Sequence, residues 1–416
     1  MSGRFSSARL KAGKSVDPDQ KAWSFIRQLN KAAGTKPDRI ALEDGARQIS
    51  YRDMYRHWER YAAVFTSLGM TEKEKARVGL LGATAVETVL AFYGLDMVGA
   101  GISIIPSYSA FSPAKILRVI EEEHLTDIII TDDFAQANLV RRLLSEKEQL
   151  GLNNVVLLHV PAFGKAVNPL MSAVQERKYQ FLKSWFAPIC METLLAVHES
   201  SDFHVAEAGA AGDPHQTAVL ILHTSGTTGG TGKPVVLSDR SRNAACACFF
   251  EMEGYEALME DPVSGLAVDL SNSYSIVDQV HLPLSVGGTI ATVPGGILNP
   301  WFYKAIPEFG LTCLFGVSAM LDMWMKMPET AMPDFSGLQA VVLGGASVSA
   351  RDKRRYRKFL SEHGGADGGQ KGSGLSLGGF EVPASVLQKL LSIDASPEDL
   401  EKLQSFLDNF FDKIPN

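Results

Sequence analysis

The chain has 416 residues, 45% of them apolar and 21% charged, and a formal net charge of −7. This composition excludes disorder for most of the chain, gives enough length for a large core divided into lobes, and argues against a nucleic-acid protein, whose affinity rests on neutralising phosphates. Four cysteines (Cys190, Cys246, Cys248 and Cys313) are too few and too irregularly spaced for a disulfide framework, and a reducing cytoplasm fits them.

Residues 1–19 carry Arg4, Arg9, Lys11 and Lys14 ahead of the first acid, Asp17, without an apolar signal core; a disordered tail is expected there. From Ala22 to Lys31 the spacing of Trp23, Ile26 and Leu29 predicts a helix, and Arg39 to Gly45 a strand and turn. Ile49 to Met54 leads into a helix that Ser50 can cap and Gly69 can end. Strands at Arg77–Leu81, Ile102–Ile105, Asp127–Ile130 and Val155–Leu158 alternate with helices at Ala85–Val98, Ser112–Glu123 and Ala135–Gln149. Glu87, Asp96 and several glycines interrupt the apolar run Val78 to Pro106, so no membrane span is expected. Trp185, Phe186 and Ile189 suggest a helix contributing to a pocket or a contact between lobes. Alternation of this kind implies a parallel sheet covered on both faces, an α/β fold.

The continuous apolar run Ala218 to Leu222 reads as a buried strand. Behind it stand Thr224-Ser225-Gly226-Thr227-Thr228-Gly229-Gly230-Thr231-Gly232-Lys233, which cannot fill a core. Glycines let a ligand approach the main chain, successive N–H groups can form an anion-binding concavity, and the lysine supplies a point charge. The loop is not a Walker A sequence: Gly226 and Gly232 enclose five residues, and Pro234 follows the lysine.

Alternation resumes beyond the loop. Helices are expected at Ser241–Phe250, where Cys246 and Cys248 read as small-residue packing, and at Tyr274–Leu284, Asn299–Phe309 and Val317–Lys326. Strands are expected at Leu266–Leu270, Gly288–Val293, Leu311–Phe315 and Leu338–Leu343, the last running into Gly344-Gly345-Ala346. Ser349 to His363 carries Lys353, Arg354, Arg355, Arg357 and Lys358 and reads as a solvated basic helix face.

The loop resembles the Thr-Ser-Gly-Thr-Thr-Gly-x-Pro-Lys phosphate loop of the adenylate-forming (AMP-binding) superfamily of acyl-CoA synthetases, luciferases and peptide-synthetase adenylation domains. Residues 20–346 are similar to that pattern, and 346–379 weakly so. The resemblance implies an adenylate-forming large domain over 20–363, built as two interleaved α/β lobes. It also implies the activity of an AMP-forming acid–CoA ligase: ATP and a carboxylate give an acyl-adenylate and pyrophosphate, and the acyl group passes to CoA. On this reading Lys233 and Thr228 are catalytic. Nucleotide contacts would come from Thr224, Ser225, Gly226, Thr227, Thr228, Gly229, Lys233, Gly344, Gly345, Ala346 and Ser376, with Gly-Gly-Ala against the adenine.

Several departures from the family pattern follow. Lys233-Pro234 reverses the family's Pro-Lys, and Asn272 stands where many acyl-CoA synthetases carry a histidine. Ser373 stands for the adenine-packing tyrosine. Leu377 stands for the glutamate that helps hold Mg²⁺, and a leucine has no oxygen to offer a hard cation. Beyond Gly379 the resemblance ends; residues 364–380 read as a glycine-rich linker and 381–416 as a helical hairpin with an apolar stripe from Leu400 to Phe411. Nothing in the sequence after Gly379 resembles the family's small C-terminal domain; the resemblance therefore implies a domain lacking here, with a partner chain supplying it as one expectation and a non-catalytic nucleotide- or partner-binding remnant as the alternative function.

Overall fold

The computed structural model describes residues 17–106, 112–161, 169–199, 202–203, 218–223, 233–251, 260–293, 296, 302–329, 332–344 and 348–364. The chain divides into Met1–Gly379 and Phe380–Asn416, and every described residue belongs to the first unit. The linker and helical hairpin expected beyond residue 364 lie outside the described residues.

In chain order the elements are α1 (Ala22–Ala33), β1 (Ile40–Glu43), β2 (Gln48–Ser50), α2 (Tyr51–Ser67), β3 (Arg77–Leu81), α3 (Val86–Met97) and β4 (Gly101–Ile104). Next come α4 (Pro113–Glu123), β5 (Asp127–Thr131), α5 (Ala137–Ser145), β6 (Asn154–Leu158), α6 (Pro169–Phe186), β7 (Ile189–Cys190) and α7 (Met191–Leu195). A hairpin follows, β8 (Ala218–His223) and β9 (Pro234–Ser238), then α8 (Asp239–Glu251) and β10 (Val263–Leu266). A π-helical segment (Ser275–His281) runs into α9 (Leu282–Ser285) and β11 (Thr289–Thr292). The last elements are α10 (Phe302–Glu308), β12 (Cys313–Gly316), α11 (Ser318–Trp324), β13 (Ala340–Leu343) and α12 (Ala350–Glu362).

The strands form two sheets, ordered β13-β12-β10-β11-β1-β2 and β7-β6-β5-β3-β4-β8-β9. Both are parallel except at one edge, where β2 runs against β1 and β9 against β8. Parallel strands require crossovers, and the crossing helices cover both faces. The five residues of β5 are accordingly all buried. The largest apolar cluster joins Tyr51, Trp58 and Phe65 of α2 and Phe92 of α3 to Val78 and Ile102 of one sheet and Leu42 and Ile290 of the other. Helices α2 and α3 are thus a shared layer between the sheets. Every residue of α3 is buried, which explains why its sequence is largely apolar on all sides, with Glu87, Thr88 and Asp96 the polar exceptions.

Local signals act as expected at several ends. The Ser50 hydroxyl accepts the Asp53 N–H at 3.1 Å and starts α2. Gly69, with φ of 75°, ends it in a conformation other residues avoid. Ser349 caps α12 in the same way. The two buried acids that interrupt the apolar run each meet an arginine: Glu87 pairs with the half-buried Arg47 at 2.6 Å and Asp96 with the buried Arg242 at 2.7 Å. No helix among the described residues is long and apolar enough to cross a membrane. None of the four cysteines forms a disulfide, and Cys246 is packed inside α8.

Three expectations are corrected. The strand placed at Leu266–Leu270 lies earlier, at Val263–Leu266. Beyond it the N–H groups of Ala267 and Val268 donate to Gln279 Oε1, at 2.7 and 3.2 Å, instead of to a neighbouring strand. The helix placed at Ala135–Gln149 is shorter, Ala137–Ser145, because the N–H groups of Phe134 and Ala135 turn back onto the Thr131 carbonyl. Trp185 is 75% exposed; Phe186 packs on one core cluster, and Ile189, which belongs to β7 instead of the helix, packs on the largest one.

Candidate functional site

The glycine-rich loop joins two strands whose pairing fixes where it opens. Strand β8 lies parallel to β4, and β9 returns against β8 with His223 opposite Pro234 as the last rung. Residues 224–233 therefore leave and re-enter the sheet at one point, at the carboxyl end of β8. Ligands in open parallel sheets sit beyond that edge. Lys233 stands at the re-entry, immediately before β9, and is exposed. Of the loop candidates, Thr224, Ser225, Gly226, Thr227, Thr228 and Gly229 lie outside the described residues, as do Gly345, Ala346, Ser376 and the Leu377 position.

Two features at this edge were not singled out by the sequence reading. The His223 ring, buried directly before Thr224, is hydrogen-bonded through Nε2 to the Glu123 carboxylate at the end of α4. The other is the charge cluster behind β9. Arg242 of α8 lies between Asp96 of α3 and Asp239, with the Phe92 ring 5.3 Å from the guanidinium and Lys21 3.7 Å from Asp239. Burial alone would raise the Asp96 pKa, but the charge and hydrogen bond of Arg242 hold it below the usual carboxylate range. Burial and the nearby Asp96 charge push Asp239 up to about 7. The same Asp96 accepts the Trp23 N–H at 3.1 Å, so α1, α3 and α8 share one buried anchor.

The second half of the candidate site lies on the six-stranded sheet, at the carboxyl end of β13. Gly344 follows β13, and its N–H donates to the Gly316 carbonyl at 3.0 Å. A Cβ on Gly344 would fall 2.6 Å from the Tyr274 ring, so packing within the chain itself already requires glycine here. Tyr274 is held by its hydroxyl, which donates to the Val342 carbonyl at 2.6 Å. Asn272, at the family's histidine position, is exposed, and its Oδ1 accepts the Tyr274 N–H at 3.0 Å as a local cap.

The helix expected at Tyr274–Leu284 is present, but its first part is π-helical, a form that recurs at functional sites. Ser275 and Gln279 tie this segment to the end of β10. His281 ties it to the other sheet's helices: Nδ1 lies 3.0 Å from Tyr93 Oη, Nε2 lies 3.0 Å from Asn243 Oδ1, and Phe25 stacks on the ring. Burial, with the Arg242 charge, lowers its pKa to about 3, so the imidazole is neutral. Among the described residues no three His, Cys, Asp or Glu side chains cluster to hold a metal ion.

Comparison with known proteins agrees with this architecture. No curated protein matches the chain by sequence. Solved structures do match by fold. The anthranilate CoA ligase AuaEII with anthranoyl-AMP superposes with a TM-score of 0.64 at 16% identity, over 84% of this chain and 59% of that one. The N-terminal domain of FACL13 from Mycobacterium tuberculosis gives 0.61 at 17% identity, over 82% and 73%. A red-emitting luciferase from Phrixothrix hirtus gives 0.63 at 14%, over 84% and 76%. The chain thus spans little more than half the length of the CoA ligase. The model of the AMP-binding enzyme family matches residues 29–366, most of the chain and both sheets, and the protein belongs to that family.

Proposed function

We propose that the chain binds ATP at residues 224–233 and activates a carboxylic acid as its acyl-adenylate, for transfer to CoA. The observation that carries this reading is the His223–Pro234 rung, which brings Lys233 back to the mouth of a Thr/Ser/Gly loop at the carboxyl edge of a parallel sheet. In the reaction a carboxylate oxygen attacks the α-phosphorus, the bond to the β-phosphate oxygen breaks, and pyrophosphate leaves. The loop N–H groups, the hydroxyls of Thr224, Ser225, Thr227 and Thr228, and the Lys233 ammonium would stabilise the charge that collects on the leaving group. Gly344, Gly345 and Ala346 would lie against the adenine, and Ser376 would reach the AMP phosphate.

Mg²⁺ would arrive with ATP as part of the substrate. The family's glutamate position is Leu377, and the described residues offer no acid cluster in its place, so no step is routed through a protein-held metal. Leu377 also supports a second reading, a nucleotide-binding member that does not turn over. Pyrophosphate release from ATP, measured with a panel of carboxylic acids with and without CoA, separates the two. Acid-dependent release supports the enzyme, and ATP binding without release supports the second reading.

A further inference from the structure

Helix α1, the turn after it and the first half of α2 line a cavity of about 430 Å³ that the proposed reaction does not use. Sites for small molecules typically enclose about 300–1,000 Å³, so the space suits a small ligand. Four cations, Arg27, Lys31, Arg52 and Arg56, line it against one acid, Glu59, in a chain whose net charge is −7. A cleft lined by one sign of charge concentrates ions of the other sign.

The four cations differ in what they are free to do. Arg27 belongs to the wall: it pairs with Glu59 at 2.6 Å, and its guanidinium lies 4.7 Å from the centre of the Tyr55 ring. A guanidinium fixed in this way is a flat cationic plate on which an aromatic ring can stack. Lys31 is exposed and has no ion pair among the described residues. Arg52 pairs with Asp38 at 2.9 Å and Arg56 with Asp53 at 3.6 Å, but both pairs lie in solvent. Such pairs are worth about 0–1 kcal/mol and exchange easily for a ligand's charge.

The floor is built and carries an unspent donor. The Tyr51 hydroxyl donates to the Gly288 carbonyl at 2.7 Å, which fixes the start of α2 before any ligand arrives. The Tyr55 hydroxyl is shut from solvent without a hydrogen bond of good geometry. The Asn30 side chain near it has both amide hydrogens committed, to the Ile26 and Leu284 carbonyls at 2.9 and 2.8 Å. Burial pushes the Tyr55 pKa up to about 12, so the hydroxyl keeps its proton and can donate it to an anion. Enclosed polar groups are almost always satisfied, and an exception in the wall of a cationic cavity points to a ligand.

We propose that this cavity binds a small aromatic phosphate, with its ring on the Arg27–Tyr55 plate and its phosphate among Lys31, Arg52 and Arg56. Three cations able to turn inward match a dianion better than a carboxylate. The site is separate from the glycine-rich loop, and no step of the adenylating reading uses its residues.

The test titrates the full chain with phenyl phosphate, cyclohexyl phosphate and inorganic phosphate by calorimetry, and hydrogen exchange locates the protection. Phenyl phosphate should bind most tightly of the three and protect α1 and α2. Arg52→Ala combined with Arg56→Ala should weaken it by about tenfold or more, and Tyr55→Phe by a smaller factor. Thr227→Ala combined with Thr228→Ala should leave it unchanged, because the loop is not the binder. Both arginines are exposed, so the variants should fold; if the double variant does not, Arg56→Glu alone decides by the same loss. Three results overturn the inference: no binding of phenyl phosphate, affinity no better than that of inorganic phosphate, or affinity that the arginine variants leave intact. Loss of binding in the threonine variant also overturns it, since the phosphate would then sit on the loop.

Discussion

Asp96 and Asp278 are both buried carboxyls on helical segments, and they are treated in opposite ways. Asp96 has Arg242, Trp23 N–H and nearby Lys21, and its pKa is held down. Asp278 has apolar neighbours, and burial drives its pKa well above the usual value. A buried acid with its own cation is an anchor: breaking it leaves a charge stranded. A buried acid without one is a cost the fold carries, and the difference separates a group that holds the molecule together from one that weakens it.

The largest effect is expected where the anchor is broken. Arg242→Met leaves Asp96 and Asp239 buried without their guanidinium, and chemical denaturation should show a loss of about 3–5 kcal/mol. An unchanged unfolding midpoint would mean that the cluster is wet and that the comparison fails.

At Asp278 the sign reverses, and pH reveals it. Below about pH 4 this group is protonated in both the folded and unfolded states and contributes nothing. As pH rises, the unfolded chain ionises while the folded one stays protonated, so stability falls. Asp278→Asn should therefore raise Tm at pH 7 more than at pH 4. Asp96 behaves the other way: its pKa is depressed in the fold, so its stabilisation is present above about pH 4 and is lost as pH falls through the folded value. A Tm gain in Asp278→Asn that is equal at both pH values would show that Asp278 has a partner in solution.

The loop is expected to matter for binding and little for stability. Thr227→Ala combined with Thr228→Ala should weaken ATP binding by about tenfold or more, each lost charge-assisted hydrogen bond being worth about 1.5–3 kcal/mol. Calorimetry showing equal affinity would remove the phosphate role from these residues. A smaller effect is expected at the opposite sheet. Gly344→Ala puts a methyl against the Tyr274 ring and should cost about 1–3 kcal/mol of stability. Pairing it with Tyr274→Ala should recover much of that loss, and additivity of the two would mean that the ring is not what excludes a side chain. Tyr274→Phe, which removes the hydrogen bond to Val342, should cost only about 1 kcal/mol.

Much of the fold was legible in local pattern. Parallel strands bury both faces and read as short apolar runs, so β3 was placed at Arg77–Leu81 as observed, and caps such as Ser50 and Ser349 announce themselves by residue type. Reading failed where a distant side chain took over the backbone. Ala267 and Val268 are apolar enough for a strand, but Gln279 captures their N–H groups from a helix twelve and eleven residues away. Trp185 looks like a core residue by composition and stands on the surface.

The sequence by itself determined the element order, the parallel α/β class and the existence of a glycine-rich loop behind a buried strand, because these depend on periodicity and on the backbone freedom of particular residues. Tertiary structure decided which charges have partners. Asp96 and Arg242 are 146 positions apart in the chain, and Glu123 and His223 are 100 apart. No spacing rule links such residues; only the packing of helices from both sheets around one layer brings the first pair together and leaves Asp278, in an equally apolar stretch of sequence, with nothing to meet it.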